Sequence, residues 1–151
     1  MLNNKIKLFL NTEHRAVVAY RVYSHIYRKY SKFFGYFLYQ YSKKKYNVDI
    51  APTASIGTGF EIVHIGAIVI GRNVIIGKNV KVQSCVTIGM QELPDLMPKI
   101  GNNVYIGTGA KILGDVEIGD TCKIGANSVV IKSFPANSVI AGVPAKVIKN
   151  V

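Results

Sequence analysis

At 151 residues and a net charge of +11, the chain is long enough for one core-bearing unit with a helical extension and too short for a large second domain. It has no apolar run of the roughly eighteen residues a membrane span needs, and charges stand where a signal peptide would be apolar, so a cytoplasmic location is expected. Cys85 and Cys122 have no CxxC spacing and lie among apolar repeat residues, so they are expected to be small, reduced core residues, with no metal site and no disulfide framework.

Residues 1–46 carry ten Lys or Arg against one acid, Glu13, together with eight of the nine tyrosines and four of the six phenylalanines. The rest of the chain is close to neutral. The segment has no proline and one glycine, Gly35. Apolar residues recur at helical spacing at Val18, Val22 and Ile26 and again at Phe34, Phe37 and Leu38, which predicts two helices broken near Ser31–Gly35. On this reading the basic residues and tyrosines fill the other faces.

From Ile50 onward the pattern changes to a period of six. Aliphatic residues fall at Ile50, Ile56 and Ile62, at Ile70, Ile76, Val82 and Ile88, and from Ile100 through Ile106, Ile112, Ile118 and Ile124 to Val130. A glycine follows many of them directly, and a second apolar residue stands two positions ahead, as at Val74, Val80, Val104 and Cys122. Six matches neither the helical period of about 3.6 nor the strand period of about 2. It fits short strands joined by tight turns, three units to a triangular coil, with the inward aliphatic side chains stacked as in other solenoids. The glycine or an Asn-Gly type position is expected to absorb the strained turn conformation.

Two interruptions break the register. The step from Ile62 to Ile70 is eight residues, and His64 sits in the extra length. Between Ile88 and Ile100 the repeat gives way to a polar, proline-bearing loop over Met90–Pro98. Departures from a strict repeat are where functional residues tend to be placed.

The repeat, with YIGTGAKILGDVEIGDTCKIGANSVV and AGVPAK, resembles the hexapeptide-repeat acyltransferases over about Val48–Val147, and within them the serine acetyltransferase branch and its relatives that acetylate sugars. The resemblance implies a mainly β fold, a left-handed parallel β-helix over residues 47–151 preceded by the helical segment 1–46. It also implies acetyl-CoA as donor, a homotrimer with active sites between subunits, and a histidine base oriented by an aspartate in a V-D-I-x-P motif. Asp49 in VDIAP and His64 in EIVH match those two positions. An imidazole near its ordinary pKa can take the proton of a poorly nucleophilic hydroxyl, and a carboxylate on its far nitrogen fixes the tautomer. On the donor side the resemblance implies Gly89, Gly107, Thr108, Gly125 and Ala126 along the pantetheine arm, and Lys123 and Lys146 toward the phosphates.

The chain departs from the branch on the acceptor side. Where serine acetyltransferases carry an aspartate before the catalytic histidine and an Arg-His pair before Pro-Lys-Ile, it has Val63, Leu96 and Met97. Charge-assisted anchors worth about 1.5–3 kcal/mol each are missing at those positions. The expected acceptor is therefore a small molecule or glycan, a sugar hydroxyl in surface polysaccharide biosynthesis, with serine and a catalytically idle scaffold as alternatives. For residues 1–46 a helical cap over the open end of the coil and a peripheral contact with an anionic membrane are both compatible with the composition. No recognition motif accompanies the charge, so no nucleic-acid partner is expected.

Overall fold

A computed structural model describes residues 12–91 and 96–150. The start of the basic segment, residues 1–11, and residues 92–95 of the interrupting loop lie outside the described residues. Among the described residues two helices, α1 (Thr12–Lys29) and α2 (Lys32–Tyr46), precede a left-handed parallel β-helix. Its first face is a sheet of β1 (Val48–Ile50), β4 (Ile68–Ile70), β7 (Thr87–Gly89), β10 (Lys111–Leu113) and β13 (Val129–Val130). The second comprises β2 (Ser55–Ile56), β5 (Ile75–Ile76), β8 (Lys99–Ile100) and β11 (Glu117–Ile118). The third comprises β3 (Glu61–Ile62), β6 (Lys81–Val82), β9 (Tyr105–Ile106), β12 (Lys123–Ile124) and β14 (Ser138–Gly142), closed by the antiparallel β15 (Ala145–Asn150).

The register measures the coil. Val69 pairs with Thr87 and Lys111 with Val129, an advance of eighteen residues. Val48 pairs with Ile68, so the coil that holds His64 is two residues longer, and Thr87 pairs with Lys111, so the coil interrupted by the Met90–Pro98 loop is six longer. The aliphatic hexad residues all point inward, where Ile70, Ile88, Ile106, Ile112, Ile124 and Val130 are buried. Each such side chain contributes about 1.5–3 kcal/mol of burial free energy.

The turn chemistry differs from expectation. The left-handed conformation falls on the third turn position, with Asn73, Asn79, Asn103 and Asn127 at φ 55 to 58°, and not on the glycine that follows the aliphatic residue. That glycine answers a different demand, close stacking of successive coils: a Cβ on Gly107 would stand 2.7 Å from Ala126 N. Asparagine tolerates the left-handed region better than other side-chain-bearing residues. Cys122 is buried as expected, but Cys85 is exposed at a turn with φ 60° and is no core residue.

Successive coils bond in both directions: Ser55 N–H donates forward to Val74 O and Lys99 N–H to Val116 O, while Asn79 N–H donates back to Thr58 O and Gly114 N–H to Gly89 O. The first coil has no preceding strand, and its carbonyls at Ile50, Pro52, Ala54 and Ile56 meet α1 instead. Helix α1 fills them with side chains. Tyr20 donates to Ala54 O and Tyr23 to Ile50 O, both at 2.6 Å, and Ser24 donates to Pro52 O at 2.8 Å. Arg21 donates to Ile56 O and Gly57 O, and Arg28 to Pro52 O and Ala54 O.

The buried face of α1 is thus Ala16, Tyr20, Tyr23 and Ser24, while Val18 and Val22 are 45% and 50% exposed. In α2 the buried residues are Gly35, Ser42 and Tyr46, and Phe34 and Phe37 face outward. This reverses the faces expected from apolar spacing at Val18, Val22, Phe34 and Phe37, whereas Leu38 packs against the core as expected. A rim of carbonyls rewards donors, and an aliphatic face laid on it would leave each carbonyl unpaired at about 1–3 kcal/mol.

Burial raises the Tyr20 phenol above its ordinary value, and burial together with the neighbouring Tyr20, Tyr39 and Asp49 raises that of Tyr23. The folded state therefore keeps protons that the unfolded state releases near the ordinary tyrosine pKa of about 10, so stability is complete below that pH and is lost as pH rises above it. Melting temperature is expected to hold across neutral pH and to fall above that point. Tyr23→Phe, less stable at neutral pH by about 1–3 kcal/mol for the unpaired Ile50 carbonyl, should show a shallower alkaline decline.

Candidate functional site

Each coil has three corners, and the one leading from the third sheet to the first stacks residues 63–67, 83–86, 107–110 and 125–128 in successive coils. His64 occupies this corner in the first coil, Gly107 and Thr108 in the third, Gly125 and Ala126 in the fourth. Hydrogen bonds hold the column: Cys85 N–H donates to Gly66 O at 2.6 Å, Asn127 N–H donates to Thr108 O at 2.8 Å, and the Ser84 and Thr108 hydroxyls lie 3.0 Å apart. The two-residue insertion pushes His64 out of this ladder. Its side chain is exposed.

The other donor-side residues are more dispersed. Lys123 projects from the outward row of the third sheet, in register with Tyr105 and Val139, just before the Gly125 corner. Lys146 lies on β15 opposite Ala141 and is exposed. Gly89 ends β7 where the interrupting loop begins, and its carbonyl accepts from Gly114 N–H at 3.0 Å. Among the described residues a Cβ at Gly89 would meet nothing within 4 Å, unlike one at Gly107 or Gly125. Coil stacking accounts for the last two glycines, and it does not account for Gly89.

Asp49 lies on β1 between the buried Val48 and Ile50, so its carboxylate projects outward from the first sheet. Helix α2 reaches it twice. Tyr39 donates to Oδ1 at 2.5 Å, and the Lys43 ammonium lies 2.5 Å from Oδ2. Among the described residues no hydrogen bond joins Asp49 to His64. A carboxylate offers about four lone-pair sites, so the two donors from α2 leave it capacity for an imidazole N–H.

The two α2 contacts are unequal. Lys43 is 45% exposed, and an ion pair so open to water is worth about 0–1 kcal/mol. A hydrogen bond to a charged group is worth about 1.5–3 kcal/mol, so Tyr39 is the stronger constraint. Burial and the bond to Asp49 raise the Tyr39 phenol pKa, which keeps it a donor. Tyr39 and Lys43 were not picked out from the sequence. The signal was present as a donor pair at i and i+4 shortly before Asp49, in a stretch with no acid between Glu13 and Asp49.

Of the acceptor-side positions, Val63 is half-buried and pairs through its backbone with Val82 O, Met97 packs on the core, and Leu96 is exposed. A groove of about 330 Å³ is lined by Tyr27, Tyr36, Tyr39, Pro52, Thr53 and Arg72, beside the hydroxyl that holds Asp49. A larger groove of about 580 Å³ runs along the second sheet between Lys99 and Pro135 and touches neither Asp49 nor His64. Among the described residues no three His, Cys, Asp or Glu side chains gather as a metal site.

The bacterial transferase hexapeptide (six repeats) family matches residues 97–132. Over those residues the chain carries the hexapeptide repeat of that family. It is 38% identical over 143 residues to serine acetyltransferase of Haemophilus influenzae, covering 93% of this chain and 53% of that protein. Among solved structures it is similar to serine acetyltransferase of Brucella abortus strain S19 in complex with coenzyme A, with a TM-score of 0.89 and 37% identity over 93% of this chain and 57% of the other. It is also similar to serine acetyltransferase of Neisseria gonorrhoeae in complex with serine, with a TM-score of 0.91 and 33% identity over 99% and 62%. The chain spans about half the length of the curated relatives it matches. These relatives are serine acetyltransferases, so the narrower likeness to sugar-acetylating enzymes gains no support from them.

The two glycine environments separate folding from ligand binding. Gly107→Ala should cost about 1–3 kcal/mol in chemical denaturation because its methyl meets the backbone of the next coil. Gly89→Ala should leave the denaturation midpoint unchanged and weaken coenzyme A binding in calorimetry. Equal loss of stability in both variants would remove Gly89 from the donor site.

Proposed function

We propose that the chain is an acetyl-CoA-dependent O-acetyltransferase with His64 as general base and Asp49 as its orienter, acting in the cytoplasm as a homotrimer with sites between subunits. The reading rests above all on the likeness, at 37% identity, to an enzyme with coenzyme A bound. His64 in the coil insertion and the space over Gly89, open among the described residues, support it. Acetyl-CoA, when bound, supplies an activated thioester. Gly89 would leave room for its pantetheine arm, Thr108 and Ala126 would flank it at the corner, and Lys123 and Lys146 would meet its phosphates.

His64 takes the proton from the acceptor hydroxyl as the oxygen attacks the acetyl carbonyl, and returns it to the departing thiol. The exposed position of the imidazole suits both transfers. Asp49, held by Tyr39 and Lys43, would accept from the far ring nitrogen and stabilise the imidazolium. The names of the relatives favour serine as acceptor over a surface-polysaccharide sugar. A sugar hydroxyl stays as the second reading because Val63, Leu96 and Met97 offer no charge to an ammonium or a carboxylate.

The test is release of coenzyme A thiol from acetyl-CoA with serine and with a panel of sugar acceptors. His64→Ala should lower turnover by about 10²–10⁴-fold with acetyl-CoA affinity unchanged. Turnover that survives intact in this variant would remove His64 from the mechanism, and a folded wild-type chain that binds no acetyl-CoA would leave an idle scaffold. Thiol release with serine alone, or with a sugar alone, decides the acceptor.

A further inference from the structure

The outward face of α2 takes no part in the site or in the core. Phe33, Phe37 and Tyr41 follow one another at i, i+4 and i+8 and are 77%, 63% and 59% exposed. Phe34, 62% exposed, meets Phe33 edge to face with ring centroids 5.8 Å apart. The same face ends in the exposed Lys44 and Lys45, and α2 contains no acidic residue. Burial of four large rings is worth several kcal/mol that the isolated chain forgoes.

The neighbouring end of α1 adds a basic hollow. A cavity of about 280 Å³ is lined by His25, Arg28, Lys29 and Ser55 among others, with no carboxylate in its wall, and the His25 ring lies 5.6 Å from that of Tyr30. Aromatic rings beside lysines and an anion-sized basic hollow match an interface of acyl chains and negatively charged headgroups. Self-pairing matches poorly. Two copies joined through α2 would set Lys44 and Lys45 against their own kind with no acid on the helix to answer them.

We propose that the exposed face of α2, with the basic hollow at the end of α1, docks the protein on an anionic lipid membrane. Phe33, Phe37 and Tyr41 enter the headgroup boundary, and the lysines meet lipid phosphates. The inference is independent of the acetyl-transfer reading. It gives the tyrosine-bearing segment two faces, one of hydroxyl donors on the coil and one of rings toward lipid.

Cosedimentation of the full chain with vesicles tests it, comparing phosphatidylcholine alone with equal parts phosphatidylcholine and phosphatidylglycerol. Binding should need phosphatidylglycerol and should weaken strongly between about 0.1 M and about 1 M salt, as screening shortens from about 10 Å to about 3 Å. Lys44→Gln with Lys45→Gln should weaken it by on the order of 30-fold. Phe33→Ser, Phe37→Ser and Tyr41→Ser together should abolish it with the melting temperature kept, since all three side chains are exposed. No binding to the anionic vesicles, or binding undiminished in the triple variant, overturns the proposal. A drop in solution mass of the triple variant without vesicles, read by sedimentation equilibrium, overturns it in favour of an interface between copies.

Discussion

The first coil of this β-helix ends in a rim of carbonyls that no strand fills, and the rest of the molecule is arranged around supplying donors to it. The carbonyls of Ile50, Pro52, Ala54 and Ile56 that meet α1 call for hydroxyl and guanidinium donors. Tyr20, Tyr23, Ser24, Arg21 and Arg28 meet that need from one helix. Two of the tyrosines and two of the arginines before Asn47 answer to these carbonyls. A closing helix of aliphatic residues would bury more apolar surface and lose more in unpaired carbonyls.

The same cap reaches the candidate chemistry. Tyr39 packs beside Tyr23, with ring centroids 5.6 Å apart, and holds Asp49 through its hydroxyl. The chain of contacts from the Ile50 carbonyl through Tyr23 and Tyr39 to the Asp49 carboxylate is continuous and largely buried. The helical segment therefore fixes the first strand twice, through its backbone and through the side chain beside the His64 corner. His64 itself depends on the coil: two extra residues between β3 and β4 carry it outside the stacked ladder.

The fold was legible in the sequence because an inward aliphatic residue every six positions has one economical explanation, and the two breaks in that spacing reappear as the two long coils. What the sequence hid was the assignment of faces. Val18 and Val22 at helical spacing look like a core stripe, yet the surface awaiting α1 is a row of carbonyls and favours Tyr20 and Tyr23. The hexad glycine looked like the strained residue, when asparagine two positions later carries the left-handed turn and the glycine makes room for the next coil. Asp49 and His64 were found by motif, whereas Tyr39 and Lys43 were not, because a helix side chain bonded to the strand that follows it leaves no periodic trace.

Hydrogen exchange on the variant carrying Tyr20→Phe, Tyr23→Phe and Ser24→Ala tests the central claim, that donors from α1 hold the first coil in place. The amides of Ala51, Ser55, Gly57 and Val63 report on it, since each bonds forward to the second coil. Selective loss of protection at these amides, with those of Lys111 and Gly125 still protected, is the outcome required. Unchanged protection in the first coil, or an even loss throughout, would contradict the account.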